Sequence, residues 1–244
     1  MSFRGVRFVR NAELNQSYGD LSGLKRALLP VYEEILRDVP AHGVDEQGLP
    51  SYVHPNMAMR WLFWKRIGYV MRFLDQFPDL GACLDFGCGS GVMLPYLNAR
   101  SSRVVACDVD LAVARAIVGR FRLPHVSLVE SLDAVTGAAA PASGFQVILA
   151  LDVLEHVDDL EGCADRLAGL LQPGGWLVVS GPTENWLYRL GRRLAGFRNT
   201  YHVRTVYDVL TTLGTRLAVR DLATLYYPLP LFKIYGASRL AQRD

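Results

Sequence analysis

Three glycines in five residues, Gly87, Gly89 and Gly91, follow directly on the short apolar run "CLDF" and lead into "VMLPYLNAR". Ordering glycine costs backbone entropy, so this density marks a tight turn or a backbone that something must approach closely. A strand, a glycine turn and a helix start, in that order, turn backbone N–H groups and the positive end of a helix dipole toward one ligand. The spacing is G-x-G-x-G, with Val92 where a dinucleotide loop carries its third glycine. No G-K-[ST] follows, which excludes a P-loop.

A second signal lies downstream. In "VVACDVD" the strand-like run ends at Asp108, 19 residues after Gly89. A carboxylate at that distance has two oxygens to accept both hydroxyls of a ribose. Loop and acid together predict a site for an adenosine-like ligand without a pyrophosphate.

The surrounding pattern sets the fold class. From Gly81 onward, short apolar runs ("CLDF", "RVVACD", "VSLVE", "FQVILAL", "WLVVSG") alternate with helical stretches ("MLPYLNAR", "DLAVARAIVGRFR", "DLEGCADRLAGLLQPGG"). This is the signature of βαβ units and a parallel sheet covered on both faces. Asp110 is placed as an N-cap, and Pro-Gly-Gly after Gln172 as a helix stop. "TVYDVLTTLG" opens with Thr205 and Asp208 spaced as a capping box. "LAVRDLATL" and "LFKIYGASRL" read as two final strands.

Before Gly81 two helices are predicted, "GDLSGLKRALLPVYEEILRDV" and "RWLFWKRIGYVMRFLDQF", joined by a loop over 41–55. Phe63, Ile67, Val70 and Leu74 share one face of the second, as docking onto a core requires. The expected division is an N-terminal helical cap over 1–80 and an α/β domain over 81–244, with a helical insert at about 184–204.

Composition narrows the function classes. Among 244 residues, 26 are basic and 24 acidic, a balance of +2 that argues against a dedicated nucleic-acid binder. Cys83, Cys88, Cys107 and Cys163 form no C-x-x-C pair and read as reduced packing residues. No apolar stretch reaches the roughly 20 residues of a membrane span. The start lacks the apolar core of a secretion signal, and Glu13 arrives early for a mitochondrial presequence. A cytoplasmic protein is expected.

"LDFGCGSG" with "ACDVD", followed by "FQVILALDVLEHVDDLEGCADRLAGLLQPGGWLVVSGPT", resembles the class I S-adenosylmethionine-dependent methyltransferases. The likeness is greatest to the branch that includes the ubiquinone-biosynthesis O-methyltransferases. It spans roughly 81–183 and leaves out the first 60 residues and the insert. It implies an α/β, Rossmann-like, mostly parallel seven-stranded sheet with helices on both faces and a terminal antiparallel hairpin.

The resemblance also implies roles. Gly87, Cys88, Gly89 and Gly91 would form the loop around the methionine part of S-adenosylmethionine, with Asp85 holding that loop. Asp108 would take the ribose, Val109 would pack on the adenine, and Leu151 would lie beside the sulfonium. Many relatives carry an acid after the third strand. Here Ser131 and Leu132 stand in its place, with Asp133 one residue late, so backbone groups or Asp133 would meet the adenine.

Methyl transfer needs alignment, exclusion of water and sometimes removal of a proton from the acceptor. A helix starting near Asp152 would bring Asp152, Glu155 and His156 of "LDVLEHV" to one side. His156 is then a candidate base, with support of the cofactor pocket or a divalent-metal site as the other readings. His202 in "NTYHVRT" is a second candidate base, and His54 a third. No metal site is assigned.

The segment 184–204 carries Arg189, Arg192, Arg193, Arg198 and Arg204 against Glu184, with an apolar stripe of Trp186, Leu190, Leu194 and Phe197. It reads as a lid helix, with peripheral membrane contact or an anionic substrate as alternatives. The expected function is O-methylation of a small molecule. N- or C-methylation of a small or lipid- or sugar-linked metabolite, and a nucleoside-binding module without catalysis, are the alternatives. A nicotinamide-dependent reductase is disfavoured by Val92. No nucleic-acid partner is expected, since no N-P-P-[YF]-like motif follows the fourth strand.

Overall fold

A computed structural model describes residues 18–38, 49–183, 204–225 and 230–239. The insert at 184–204 lies outside the described residues except for Arg204, and His202 lies outside them too. The chain enters through three helices, α1 (Leu21–Asp38), α2 (Leu49–Val53) and α3 (Met57–Leu74). It then alternates β1 (Ala82–Phe86), α4 (Leu94–Arg100), β2 (Arg103–Cys107), α5 (Ala112–Phe121) and β3 (Val126–Val129). β4 (Phe145–Leu151), α6 (Leu160–Leu170), β5 (Leu171–Pro182), α7 (Val206–Gly214), β6 (Ala218–Leu225) and β7 (Phe232–Ser238) follow.

The strands form one seven-stranded sheet in the order β3-β2-β1-β4-β5-β7-β6. Neighbours among β1 to β5 pair in parallel, and β7 runs antiparallel to both β5 and β6. The predicted terminal hairpin is therefore the antiparallel edge.

Alternation along the strands divides the core. Cys83, Val104, Val147, Leu149 and Val178 face one layer, together with Ile67, Val70 and Leu74 of α3 and Ile117 of α5. Leu84, Val105, Ile148, Leu177 and Val179 face the other, with Leu167 of α6 and Leu213 of α7. The period-two pattern explains why short strands carry almost no polar side chains: both faces are covered. The N-terminal helices share the sheet's own core, as the stripe on α3 requires.

Three local readings change. A helical turn, α2, interrupts the expected loop over 41–55. α6 ends at Leu170, ahead of Pro-Gly-Gly; Phe145 pairs with Leu171 and Val147 with Trp176, so residues 172–175 bulge opposite Gln146. Gly174 has a φ of +76°, which suits the turn in that bulge. Asp110 sits one position before the N-cap Leu111, although its carboxylate accepts from Ala112 N at 2.9 Å. The capping box at Thr205 and Asp208 is present as read. All four cysteines are free and buried. No described helix is long and apolar enough to cross a membrane.

Candidate functional site

Parallel strands end at one edge of the sheet, and open α/β sheets bind ligands outside those carboxyl ends. The glycine loop leaves β1 there. Gly87 and Cys88 both donate their N–H to the carbonyl of Cys107, at 2.8 and 3.2 Å, which ties the loop to the end of β2. Gly87, Gly89 and Gly91 have φ of +73°, +44° and +68°, the left-handed region that only glycine enters cheaply. At Gly87 any Cβ would also drive into the Val153 side chain. The glycine density thus answers both to backbone twist and to packing.

Asp108 meets this loop directly: its Oδ2 accepts the Gly89 N–H at 2.7 Å and its Oδ1 accepts from Asp110 N at 3.2 Å. Beside it Val109 is 91% exposed, a large apolar side chain with nothing packed on it. Asp85, at the end of β1, is only 4% exposed. Burial, reinforced by the charge of Asp108, pushes its carboxyl pKa up to about 7. A buried acid held at that value is ready to ionise beside a ligand cation.

Ser131 caps the short turn Leu132–Ala134 at the far side of β2, with its Oγ accepting from Ala134 N at 3.2 Å. Leu132 is buried beneath it. Asp133 pairs with Arg166 at 2.5 Å on the surface. Leu151 ends β4 opposite Ser180 of β5.

The "LDVLEHV" segment is arranged differently from the expected helix. Asp152 adopts a left-handed φ of +55°, and only Leu154–His156 form a 3-10 turn. That geometry separates the three side chains. Asp152 accepts from Ser180 Oγ at 2.8 Å, Glu155 is buried and His156 is exposed. No grouping of His, Cys, Asp or Glu fit to hold a metal occurs among the described residues. His54 is half-buried and accepts from Asn56 N at 3.1 Å through Nδ1, beside the start of α3. Arg204 reaches the carbonyls of Val157 and Asp158, the latter at 2.9 Å.

The N-terminal helices add residues that sequence reasoning missed. Tyr32 of α1 donates its hydroxyl to the Ser90 carbonyl inside the glycine loop, at 3.1 Å. Arg66 of α3 is 4% exposed, ion-paired with Asp152 and donating Nη2 to the Tyr52 hydroxyl at 3.0 Å. Its guanidinium lies against the rings of Phe63 and Phe232, at 5.0 and 5.5 Å. The signal was present: Arg66 sits three residues after Phe63 and four before Val70, a charge within the apolar stripe. The tyrosines gave no such sign: Tyr32, in an amphipathic helix, reads as core, and Tyr52 fell in the expected loop over 41–55.

A cavity of about 570 Å³ opens at the opposite edge, between the starts of β1, β2 and β3. It is lined by Asp79, Asn98, Arg100 and His125 among others, and contains none of the residues above. The strand-end arrangement is the better functional candidate, because backbone donors, two acids and an unpacked apolar side chain converge there.

Relatives share this part of the chain. An uncharacterized methyltransferase of Mycobacterium tuberculosis is 35% identical over 108 residues, 43% of this chain and 54% of that protein. A ubiquinone biosynthesis O-methyltransferase of a Bradyrhizobium species is 31% identical over 109 residues, 42% of this chain and 40% of that protein. The chain therefore spans about half the length, or less, of the curated relatives it matches. Among solved structures, the N-methyltransferase NodS of Bradyrhizobium japonicum in complex with S-adenosyl-L-homocysteine shares the fold, with a TM-score of 0.58 at 19% identity. That likeness covers 85% of this chain and 97% of NodS. Magnesium protoporphyrin IX methyltransferase of Synechocystis, with the same molecule bound, matches at a TM-score of 0.58 and 19% identity, over 85% of this chain and 99% of that one. A family model described as a methyltransferase domain matches residues 59–225. That span starts inside α3, takes in the glycine loop and Asp108, and closes with β6, and by it the chain belongs to the methyltransferase domain family.

Proposed function

We propose that this protein transfers a methyl group from S-adenosylmethionine to a small-molecule acceptor, at an oxygen. The carrying observation is the Asp108–Gly89 pairing beside the unpacked side chain of Val109. A nucleoside fits these residues: the carboxylate suits a ribose diol, and an adenine would cover Val109. A ligand ammonium would draw Asp85 into its ionised form and offset its burial. Ser131 and Leu132 complete the adenine side, and Gly87, Cys88, Gly89 and Gly91 hold the methionine side.

When bound, the cofactor supplies an activated methyl on a sulfonium, ready for in-line displacement. The chain's own work is to align, exclude water and receive a proton. Leu151, at the end of β4, is an apolar wall beside the reacting centre. The helices over 1–80 form the cap that sets acceptor identity, while 81–244 holds the cofactor. His156 or His202 takes the acceptor's proton.

Oxygen as the methylated atom rests on the likeness to ubiquinone-biosynthesis O-methyltransferases; structural neighbours include an N-methyltransferase. The first test is calorimetry of S-adenosylhomocysteine with the wild type and Asp108→Ala. Micromolar binding weakened about tenfold, or about 1.4 kcal/mol, is expected. Equal affinity in both proteins would remove Asp108 from the site and the nucleoside reading with it.

A further inference from the structure

We infer that the methyl acceptor carries a carboxylate that docks on Arg66, at the point where α2 and α3 meet the ends of β4, β5 and β7. This rests on the methyltransferase reading above and names the acceptor's chemical class.

A guanidinium is rarely buried without reason, because each N–H removed from water needs a partner. Arg66 is 4% exposed, and its Nε and Nη1 are both buried with no hydrogen-bond partner among the described residues. Its other contacts hold it firmly. Tyr52 accepts from Nη2, Asp152 is paired at Nη1, and the rings of Phe63 and Phe232 flank the plane. A fork held in this way, with two nitrogens lacking a hydrogen bond, is shaped for a two-oxygen anion.

Asp152 shows what such an anion looks like in place. It follows Leu151 immediately, so it stands at the strand end where methyl transfer is proposed. Its φ of +55° lies in the left-handed region, which Asp enters more readily than most residues other than glycine. Its side chain is 21% exposed, so solvent reaches the pair from the Asp152 side. An internal carboxylate on a cation is one that a ligand carboxylate can join or displace. The walls are aromatic, with Tyr52 against Phe63 at 6.0 Å and Phe63 against Phe232 at 5.7 Å, which favours an acid with a flat apolar body.

The test uses benzoate as probe and benzamide as its uncharged counterpart. Both are titrated by calorimetry into the full chain, with and without S-adenosylhomocysteine. In the wild type, benzoate should bind about tenfold more tightly than benzamide, as a charge-assisted hydrogen bond allows. Arg66→Gln should abolish that preference and Arg66→Lys should retain part of it. Asp152→Asn should tighten benzoate, because the competing internal carboxylate is gone; this arm decides the matter even if Arg66→Gln does not fold. Equal affinities in the wild type, a preference that survives Arg66→Gln, or weaker benzoate binding by Asp152→Asn would each overturn the assignment. Failure of S-adenosylhomocysteine to bind would instead count against the cofactor reading, while the titrations without it still decide the carboxylate site.

Discussion

The two halves of the proposed site are built by opposite means. The heart of the cofactor half lies within 24 consecutive residues, from Asp85 to Asp108, and uses backbone conformation: three positive-φ glycines, carbonyl ties to Cys107, and one carboxylate on the Gly89 N–H. The acceptor half draws Tyr52, Arg66, Asp152, Ser180 and Phe232 from five separate elements or their ends, and uses side chains. The difference follows from the task each would perform. A shared cofactor can be held by a local loop, whereas an individual acceptor needs a chamber walled by whatever the fold brings near.

The comparison can be broken most severely at Gly87. Its φ of +73° and the Val153 side chain both oppose a Cβ. Gly87→Ala should cost about 2–4 kcal/mol of stability and remove measurable S-adenosylhomocysteine binding. Adding Val153→Ala should recover the packing part but not the backbone part. Full recovery by the double variant would mean that φ at this position does not matter.

A smaller effect is expected from Asp85, where the two halves touch electrostatically. With its pKa at about 7, the folded chain keeps a proton that the unfolded chain loses near the ordinary carboxylate value of about 4. Stability therefore falls as pH rises through that window, and above it the folded chain carries the buried charge in full. Asp85→Asn should raise the Tm of the ligand-free protein above pH 7 and flatten the decline below it, while weakening cofactor binding. Wild-type and variant melting curves that stay parallel from about pH 5 to pH 8 would show that Asp85 does not titrate there.

The smallest effect on stability belongs to His156, exposed on the turn after β4. His156→Ala should leave stability and cofactor affinity alone and lower kcat about 10²–10⁴-fold if it is the base. An unchanged rate on an accepted substrate would move that role to His202.

Much of the fold was legible because it follows from local rules. The strand runs, the α3 stripe, the capping box at Thr205 and the glycine loop all depend on residues within one turn or one strand of each other. The exceptions came from contacts between residues far apart in the sequence. Asp152 reads as a helix start, but its N–H donates to the Ser180 carbonyl at 2.9 Å, and that extension of sheet pairing places the residue in the left-handed region. Asp133 was a candidate for adenine, but Arg166, 33 residues later, holds it at the surface.

By itself the sequence determined the class of sheet, the cofactor loop and its distant acid, because glycine φ, strand period and ribose-acid spacing are short-range constraints. Only the tertiary structure decided that Arg66 faces Asp152 across 86 residues, that Tyr32 reaches the loop at Ser90, and that Asp85 is buried deeply enough to hold a proton near neutrality. Those features depend on desolvation and on contacts between separate elements, and neither exists until the N-terminal helices have closed on the sheet.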